Sequence, residues 1–185
     1  MIDDVDTNSL TVRKSKDNQY LQLGMNKILI QTPWMTLQQY PLTGKSFVKE
    51  TDGSVALTLP VAEGSDVLNF FREVDKFLAA KALLPNKTLH RTITEKDGKH
   101  FVKFKVYLNT ALLVGREEQR INTIYDFYKY LTENTDLRII FSMTKLWTLN
   151  SAYGFSVRAE KIQLKAEQAQ KPSVLDEINR GDFSD

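Results

Sequence analysis

The alternation of hydrophobic and polar residues predicts short β-strands spread along the chain. The segment 20–31, YLQLGMNKILIQ, predicts two short strands joined at residues 24–26, and Pro33 ends the second because proline cannot donate to a ladder. The segment 55–59, VALTL, predicts another strand that stops at Pro60, and the segment 101–108, FVKFKVYL, alternates in the same way. Short, dispersed strands favour a small antiparallel barrel over parallel β-α-β units.

The longest β-rich stretch covers residues 137–164. Two runs rich in β-branched and aromatic residues flank a polar segment at 150–154, NSAYG, which predicts a β-hairpin. Hydrophobic residues occur on both faces at the start of the first run. We therefore expect that end of the hairpin to be buried on both sides.

Helical spacing of hydrophobic residues appears in two places. The clearer helix is predicted for 65–84, with Ser65 as its N-cap and Leu84-Pro85-Asn86 as its stop. Its apolar stripe consists of Val67, Phe70, Phe71, Val74, Phe77 and Leu78. A second, shorter helix is predicted for about 123–132.

The order of these elements predicts a mainly β (α+β) fold built on a five-stranded OB-type barrel. Such a barrel carries a helix between its third and fourth strands, and the predicted helix at 123–132 occupies that position before the final hairpin. The amphipathic helix at 65–84 is then an insertion. We expect a flexible acidic and polar arm at 1–18, the barrel domain at 19–166, and a disordered acidic tail at 167–185.

Composition narrows the class of protein. The chain has 185 residues, 42% hydrophobic content and no cysteine, so it can bury a core without disulfides or thiolate metal sites. The net charge of +2 conceals a charge of −3 in 1–10, −3 in 172–185 and +8 in between. A basic body between acidic ends suits a polyanionic ligand, although ordinary surface charge for solubility is the alternative.

The sequence shows neither a recognisable targeting signal nor an enzymatic motif. No apolar run approaches the roughly 18 residues that a membrane span requires, and the acidic start does not resemble a secretory signal. His90 and His100 lack metal-ligand spacing, and the carboxylates Glu117, Glu118 and Asp126 have no companion motif. The sequence therefore predicts an intracellular protein with no membrane association, no catalytic residue, no metal and no cofactor.

The strand at 101–108 carries the first candidate binding residues. One face, formed by Val102, Phe104, Val106 and Leu108, is predicted to face the core. The other face places Lys103 and Lys105 between the rings of Phe101 and Tyr107. Cations can neutralise phosphates and flat rings can stack on unpaired bases, while lysines that simply face water are the alternative.

The hairpin carries the second set of candidates: Lys145, Trp147, Tyr153, Phe155 and Arg158. Tyr153 and Phe155 lie beside the predicted turn and are the preferred stacking rings, whereas Trp147 fits the core equally well. Arg158 and Lys161 fall on opposite faces unless a bulge intervenes. Lys45 and Lys49, in a segment without clear periodicity, are candidate phosphate contacts of a clamping loop.

On these residues the chain resembles OB-fold single-stranded DNA-binding proteins of large DNA viruses and phages. The matching segments are Asn26–Met35, Phe101–Val106, Ile121–Phe127 and the W-x-x-N-x-x-Y-G run from Trp147 to Gly154 with its following strand. The resemblance implies sequence-tolerant coating of unwound DNA during replication, recombination or repair, without catalysis. The alternative is a non-catalytic protein-interaction or assembly module on the same barrel.

The resemblance also assigns a role to the acidic end of the chain. Such tails recruit replication proteins, which here means a polymerase, helicase or primase, and compete with DNA for the basic groove. The implied tail residues are Asp176, Glu177, Asp182, Phe183 and Asp185. The resemblance further implies a possible homo-oligomer located in the cytoplasm or nucleus of an infected host cell.

Overall fold

The computed structural model describes residues 1–15, 18–24, 26–38 and 54–166. Within them it has one α-helix, α1 (Asp66–Lys81), and 3-10 helices at Ile2–Asp4, Thr7–Ser9 and Ile124–Lys129. The strands are β1 (Leu10–Ser15), β2 (Asn18–Leu23), β3 (Asn26–Lys27), β4 (Ile30–Gln31), β5 (Met35–Thr36), β6 (Ser54–Val61), β7 (Thr88–Leu89), β8 (Ile93–Lys96), β9 (Lys99–Val114), β10 (Glu117–Gln119), β11 (Asp136–Thr148) and β12 (Ala152–Leu164).

These strands form one open sheet. Its central order is β1-β2-β11-β12-β9-β10, with β6 and β8 pairing antiparallel to β9 and with β4 and β5 pairing to β11. The contact between β12 and β9 is parallel, whereas β11 and β12 form the antiparallel hairpin that the sequence predicts. A mainly β fold is confirmed, but the described strands number more than five because several ladders are interrupted after two residues.

Helix α1 covers the inner face of the sheet and supplies much of the core. Phe71 is fully buried and stacks on Phe141 of β11 at 5.3 Å between ring centroids, while Phe104 of β9 meets Phe141 edge-on at 5.7 Å. The predicted apolar stripe is buried apart from Phe77, which is half-buried. The sequence therefore located both this helix and the face that it buries.

The ends of α1 follow local signals. The Ser65 side chain accepts a hydrogen bond from the Leu68 amide, as expected for an N-cap. The helix ends at Lys81, before the predicted stop, because Ala82 adopts the left-handed conformation with φ of 43°. A buried carboxylate, Asp75, accepts hydrogen bonds from the amides of Thr92 and Ile93 and thereby ties α1 to β8.

The N-terminal residues differ from the predicted flexible arm at 1–18. Ile2 and Leu10 are buried in the core, and β1 pairs with β2 along its whole length. The alternation of Leu10 and Val12 with polar neighbours gives this strand an apolar side, which packs against the core. Residues 1–15 are thus part of the folded body.

The strand predicted at 101–108 is longer and interrupted. β9 runs from Lys99 to Val114, but its pairing with β12 jumps from Val106 to Ala111, so the four residues between them bulge outward. Thr110 closes the bulge by accepting from the Tyr107 amide and donating to the Ala159 carbonyl. Leu108, predicted to face the core, is therefore 47% exposed.

The structure differs from two further predictions of secondary structure. The segment 20–31 forms three short strands rather than two. The helix predicted at about 123–132 is a six-residue 3-10 helix that begins after Thr123. Its first turn is held by the Asp126 carboxylate, which accepts from the amides of Asn122 and Thr123.

These hydrogen bonds give a pH prediction. The two amides and the Lys129 ammonium lower the pKa of Asp126 to about 2, from an ordinary 3.8. A lowered folded-state pKa contributes stability that is present above about pH 4 and is lost as the pH falls toward 2. Asp126→Asn should flatten the dependence of unfolding midpoint on pH in this window, whereas Glu118→Gln at an exposed position of β10 should not. An unchanged midpoint-against-pH curve in Asp126→Asn would contradict this.

Candidate nucleic-acid interface

The sheet surface turned away from α1 brings several predicted residues together. We call the side chains of β9, β12 and β11 that point away from α1 the outer face. On it Lys105 of β9 and Arg158 of β12 are register neighbours, and Ser142 of β11 lies opposite Arg158. Lys103 is exposed two residues along the same side of β9.

Arg158 is the most constrained cation of this face. Its guanidinium donates to the Asn109 side chain at 2.9 Å, approaches the Glu160 carboxylate at 3.4 Å and lies over the Tyr107 ring at 4.8 Å from the centroid. Asn109 and Tyr107 both come from the bulged part of β9. The bulge therefore fixes the guanidinium in place before any ligand arrives, which lowers the entropy cost of binding an anion.

A second bulge decides the orientation of Lys161. The pairing of β11 with β12 shifts between Phe141↔Ala159 and Ile140↔Lys161, which leaves Glu160 without a register partner on β11. Because of this extra residue, Arg158 and Lys161 lie on the same face. The sequence alone did not decide whether a bulge is present here. The structure has one, and Lys161 therefore joins Arg158 on the outer face.

Trp147 lies at the hairpin end of the outer face. It is a register partner of Gly154, and its half-buried ring also meets the ring of His90 edge-on at 5.5 Å. A Cβ at position 154 would lie 2.8 Å from Trp147 Cζ2 and 3.0 Å from the His90 carbonyl oxygen. The indole can lie flat against the sheet only because residue 154 has no side chain.

The close approach at Gly154 gives a stability prediction. Gly154→Ala should displace the indole and destabilise the fold by about 1–3 kcal/mol, as for other overpacked sites. Urea unfolding followed by tryptophan fluorescence measures both effects. Ser156→Ala, two residues along the same strand, is the matched control and should change neither. Native fluorescence and stability in Gly154→Ala would contradict the packing.

Tyr153 and Phe155 are not stacking residues. Both are buried, at 3% and 5% exposure. β12 already begins at Ala152, and the alternation along it places these two rings on the core-facing side with Val157 and Ala159. Their proposed contact with a ligand is therefore wrong.

The remaining candidates lie partly or wholly outside the described residues. Of Lys145 the structure describes the backbone, which pairs with Tyr20 of β2. Lys45 and Lys49, and the tail residues Asp176, Glu177, Asp182, Phe183 and Asp185, belong to segments that are outside the described ranges.

The structure adds aromatic and cationic residues that the sequence analysis did not select. Trp34, between β4 and β5, is 41% exposed, with the Arg138 guanidinium 5.0 Å and the Lys165 ammonium 5.5 Å from its ring centroid. Tyr20 is exposed on β2. The alternation around Arg138 was a usable signal that its side chain lies on the outer face. Nothing in the sequence around Trp34 indicates its partners Arg138 and Lys165, because both lie a hundred or more residues further along the chain.

Two further features concern residues 1–15, 18–24, 26–38 and 54–166. No group of three or more histidine, cysteine or acidic side chains in these ranges is arranged to hold a metal ion. No helix in the same ranges is both long and apolar enough to cross a membrane.

Known proteins resemble this chain in fold and not in sequence. No protein-family model matches this chain, and no curated protein sequence is significantly similar to it. Solved structures do match. One is gp2.5, a single-stranded DNA-binding protein encoded by bacteriophage T7, with 13% identity, 86% of this chain and 97% of that chain covered, and a TM-score of 0.50.

The second match is the single-stranded DNA-binding protein from bacteriophage Enc34. Its C-terminal truncation has 10% identity, covers 91% of this chain and 100% of that chain, and gives a TM-score of 0.53. A second structure of the same phage protein covers 89% and 91% with a TM-score of 0.52. At such low identity the match shows the fold alone. The OB-type fold implied by the sequence resemblance is confirmed at that level.

Proposed function

We propose that this protein binds single-stranded DNA along the outer face without sequence preference and without catalysis. The observation that carries the proposal is the cluster of Lys103, Lys105, Tyr107 and Arg158, where three cations and one ring meet on adjacent strands. Cations that follow the backbone and rings that accept any base are the usual components of such binding. Both fold neighbours are named as single-stranded DNA-binding proteins, which supports the same conclusion.

The composition of the outer face favours phosphate contacts over base reading. Its cations within the described residues are Lys99, Lys103, Lys105, Arg138, Arg158 and Lys161, with Lys165 directly after β12, against the two carboxylates Asp136 and Glu160. Glu160 accepts from Ser142 and pairs with Arg158, and Asp136 pairs with Lys165 at 2.8 Å. Both carboxylates are therefore neutralised locally, and the surplus of positive charge remains for an anionic chain.

A salt-dependent titration tests the proposal. Poly-dT should quench the intrinsic fluorescence of the two tryptophans, and the logarithm of the binding constant should fall linearly with the logarithm of salt concentration. Absence of quenching and of retention on poly-dT at low salt would overturn the proposal. Binding to a protein that persists in the Lys103→Glu/Lys105→Glu variant, without oligonucleotide binding, would instead favour an interaction module.

We extend the proposal to roles in replication, recombination or repair inside an infected host cell. The tail residues Asp176, Glu177, Asp182, Phe183 and Asp185 would recruit a polymerase, helicase or primase and compete with DNA for the outer face. Deletion of 172–185 should then tighten DNA binding at low salt, because an anionic competitor is removed. Unchanged affinity would argue for a passive terminus.

A further inference from the structure

The outer face has a tryptophan at each of its two ends. Trp147 lies at the hairpin end of β11, beside Gly154. Trp34 lies at the opposite end, where β4 and β5 pair with the start of β11 and where the Arg138 guanidinium approaches its ring. From Arg138 to Trp147 the strand advances nine residues, which is about 30 Å at the usual rise per residue.

Three rows of paired side chains extend from Trp34 toward Trp147. Proceeding from Trp34, the outer face presents Arg138 beside Gln163, then Ile140 beside Lys161, then Ser142 beside Arg158 and Lys105. Each pair is set by the β11–β12 register. Each of these three rows therefore contains a cation, as suits a ligand with regularly spaced negative charges.

The surroundings of Trp34 are held by a hydrogen-bonded frame. Thr36 donates to the Asp136 carboxylate at 2.6 Å, Lys165 pairs with the same carboxylate at 2.8 Å, and the Arg138 Nε–H donates to Gln163 at 2.9 Å. These bonds tie the segment carrying Trp34 to β11 and β12. The indole is thus fixed in position although it is 41% exposed.

An open cavity of about 510 Å³ lies beside the Trp34 ring. Its lining includes Pro33, Trp34, Pro60, Lys99 and Glu63. Its size is within the range of small-ligand sites, so it can accept a planar base against the indole. Lys99 contributes a cation to this lining, and the Glu63 carboxylate is paired with the Arg72 guanidinium at 2.7 Å.

From these observations we infer that Trp34, with Arg138 and Lys165, forms a second base-stacking site, and that one DNA strand runs from Trp147 to Trp34. The inference rests on the proposed function, since it assigns the far end of the same face. At the stacked spacing of 3.4 Å, about nine nucleotides cover 30 Å, and fewer are needed if the strand is extended. A strand of twelve nucleotides reaches both tryptophans, whereas a stacked strand of four cannot.

The presence of only two tryptophans makes the test direct. In Trp147→Phe the fluorescence reports Trp34 alone, and in Trp34→Phe it reports Trp147 alone. Titration with dT12 should quench both single-tryptophan variants. Trp34→Ala should weaken dT12 binding about 5- to 150-fold, the usual range for one stacked base, and should affect dT4 much less. Trp34→Phe keeps a flat ring and should restore most of the affinity.

Control variants distinguish a failure of the second stacking site from a failure of the proposed function. Phe77→Ala removes a half-buried ring on α1, away from the outer face, and should leave dT12 affinity unchanged. If dT12 binds in an Arg158-dependent manner while Trp34→Ala binds normally and Trp34 is not quenched, the second site is wrong and the proposed function stands. A lowered unfolding temperature with normal affinity would show that the Trp34 contacts only stabilise the fold. Failure of dT12 to bind the native protein overturns both.

Discussion

Replacing Lys103, Lys105 and Arg158 together by glutamine should weaken binding to poly-dT about 100- to 1000-fold at 50 mM salt. Each phosphate contact with a single strand contributes about 0.7 to the slope of log K against log salt, so three lost contacts lower the slope by about 2 and the affinity accordingly. Glutamine removes the charge and keeps an unbranched polar side chain, although a shorter one than lysine or arginine. The measurement is a fluorescence titration at four or more salt concentrations.

The matched control for this variant lies on α1. Lys76→Gln with Lys81→Gln removes two exposed cations from the side of the molecule opposite the outer face. For this control variant we expect only a small change in affinity and no change in the slope of log K against log salt. An equal loss of affinity in the α1 control, or a native slope in the triple variant, would show that binding depends on net charge and not on this cluster.

Phe71→Ala should lower the free energy of unfolding by about 3–5 kcal/mol, the range found for buried phenylalanines. Phe71 is fully buried and contacts the rings of Phe70, Phe104 and Phe141, so its removal leaves a cavity where α1 meets β9 and β11. Domains of this size are stable by about 5–15 kcal/mol, and the loss is a large fraction of that.

The measurement is urea unfolding at constant temperature, with a lower midpoint and an unchanged m-value. Phe77→Ala, which truncates a half-buried ring on the same helix, should cost distinctly less. A loss below about 1 kcal/mol for Phe71→Ala would mean that the site collapses around the missing ring.

Local patterns were sufficient for α1, for β6, for the first half of β9 and for the β11–β12 hairpin, and for part of the candidate interface. The cap and apolar stripe identified α1, and simple alternation separated Lys103, Lys105 and Tyr107 from the buried Val102 and Phe104. These features depend only on the period of a helix or a strand, which the sequence displays directly.

The wrong predictions concern which face of a strand a side chain occupies. The alternation of Tyr153, Phe155, Val157 and Ala159 with their neighbours was a usable signal that these two rings are buried. The bulge after Val106, which exposed Leu108, had no such signal. A one-residue shift moves every following side chain to the other face, and no local pattern announces it. Trp34 and Arg138 could not be paired in advance because their proximity depends on the β5–β11 register.

The pairing of β4 and β5 with β11 also bears on how the chain reaches its native state. Thr36 bonds to Asp136, and the Thr32 hydroxyl accepts from the Ile139 amide, at sequence separations of 100 and 107 residues. Contacts so distant in sequence raise the contact order, and closing such long loops slows folding to the millisecond-to-second range of β-rich domains. During translation, β4 and β5 cannot form these pairs until β11 has been synthesised. Until then Ile28 and Ile30, which are buried in the folded protein, stay exposed to solvent.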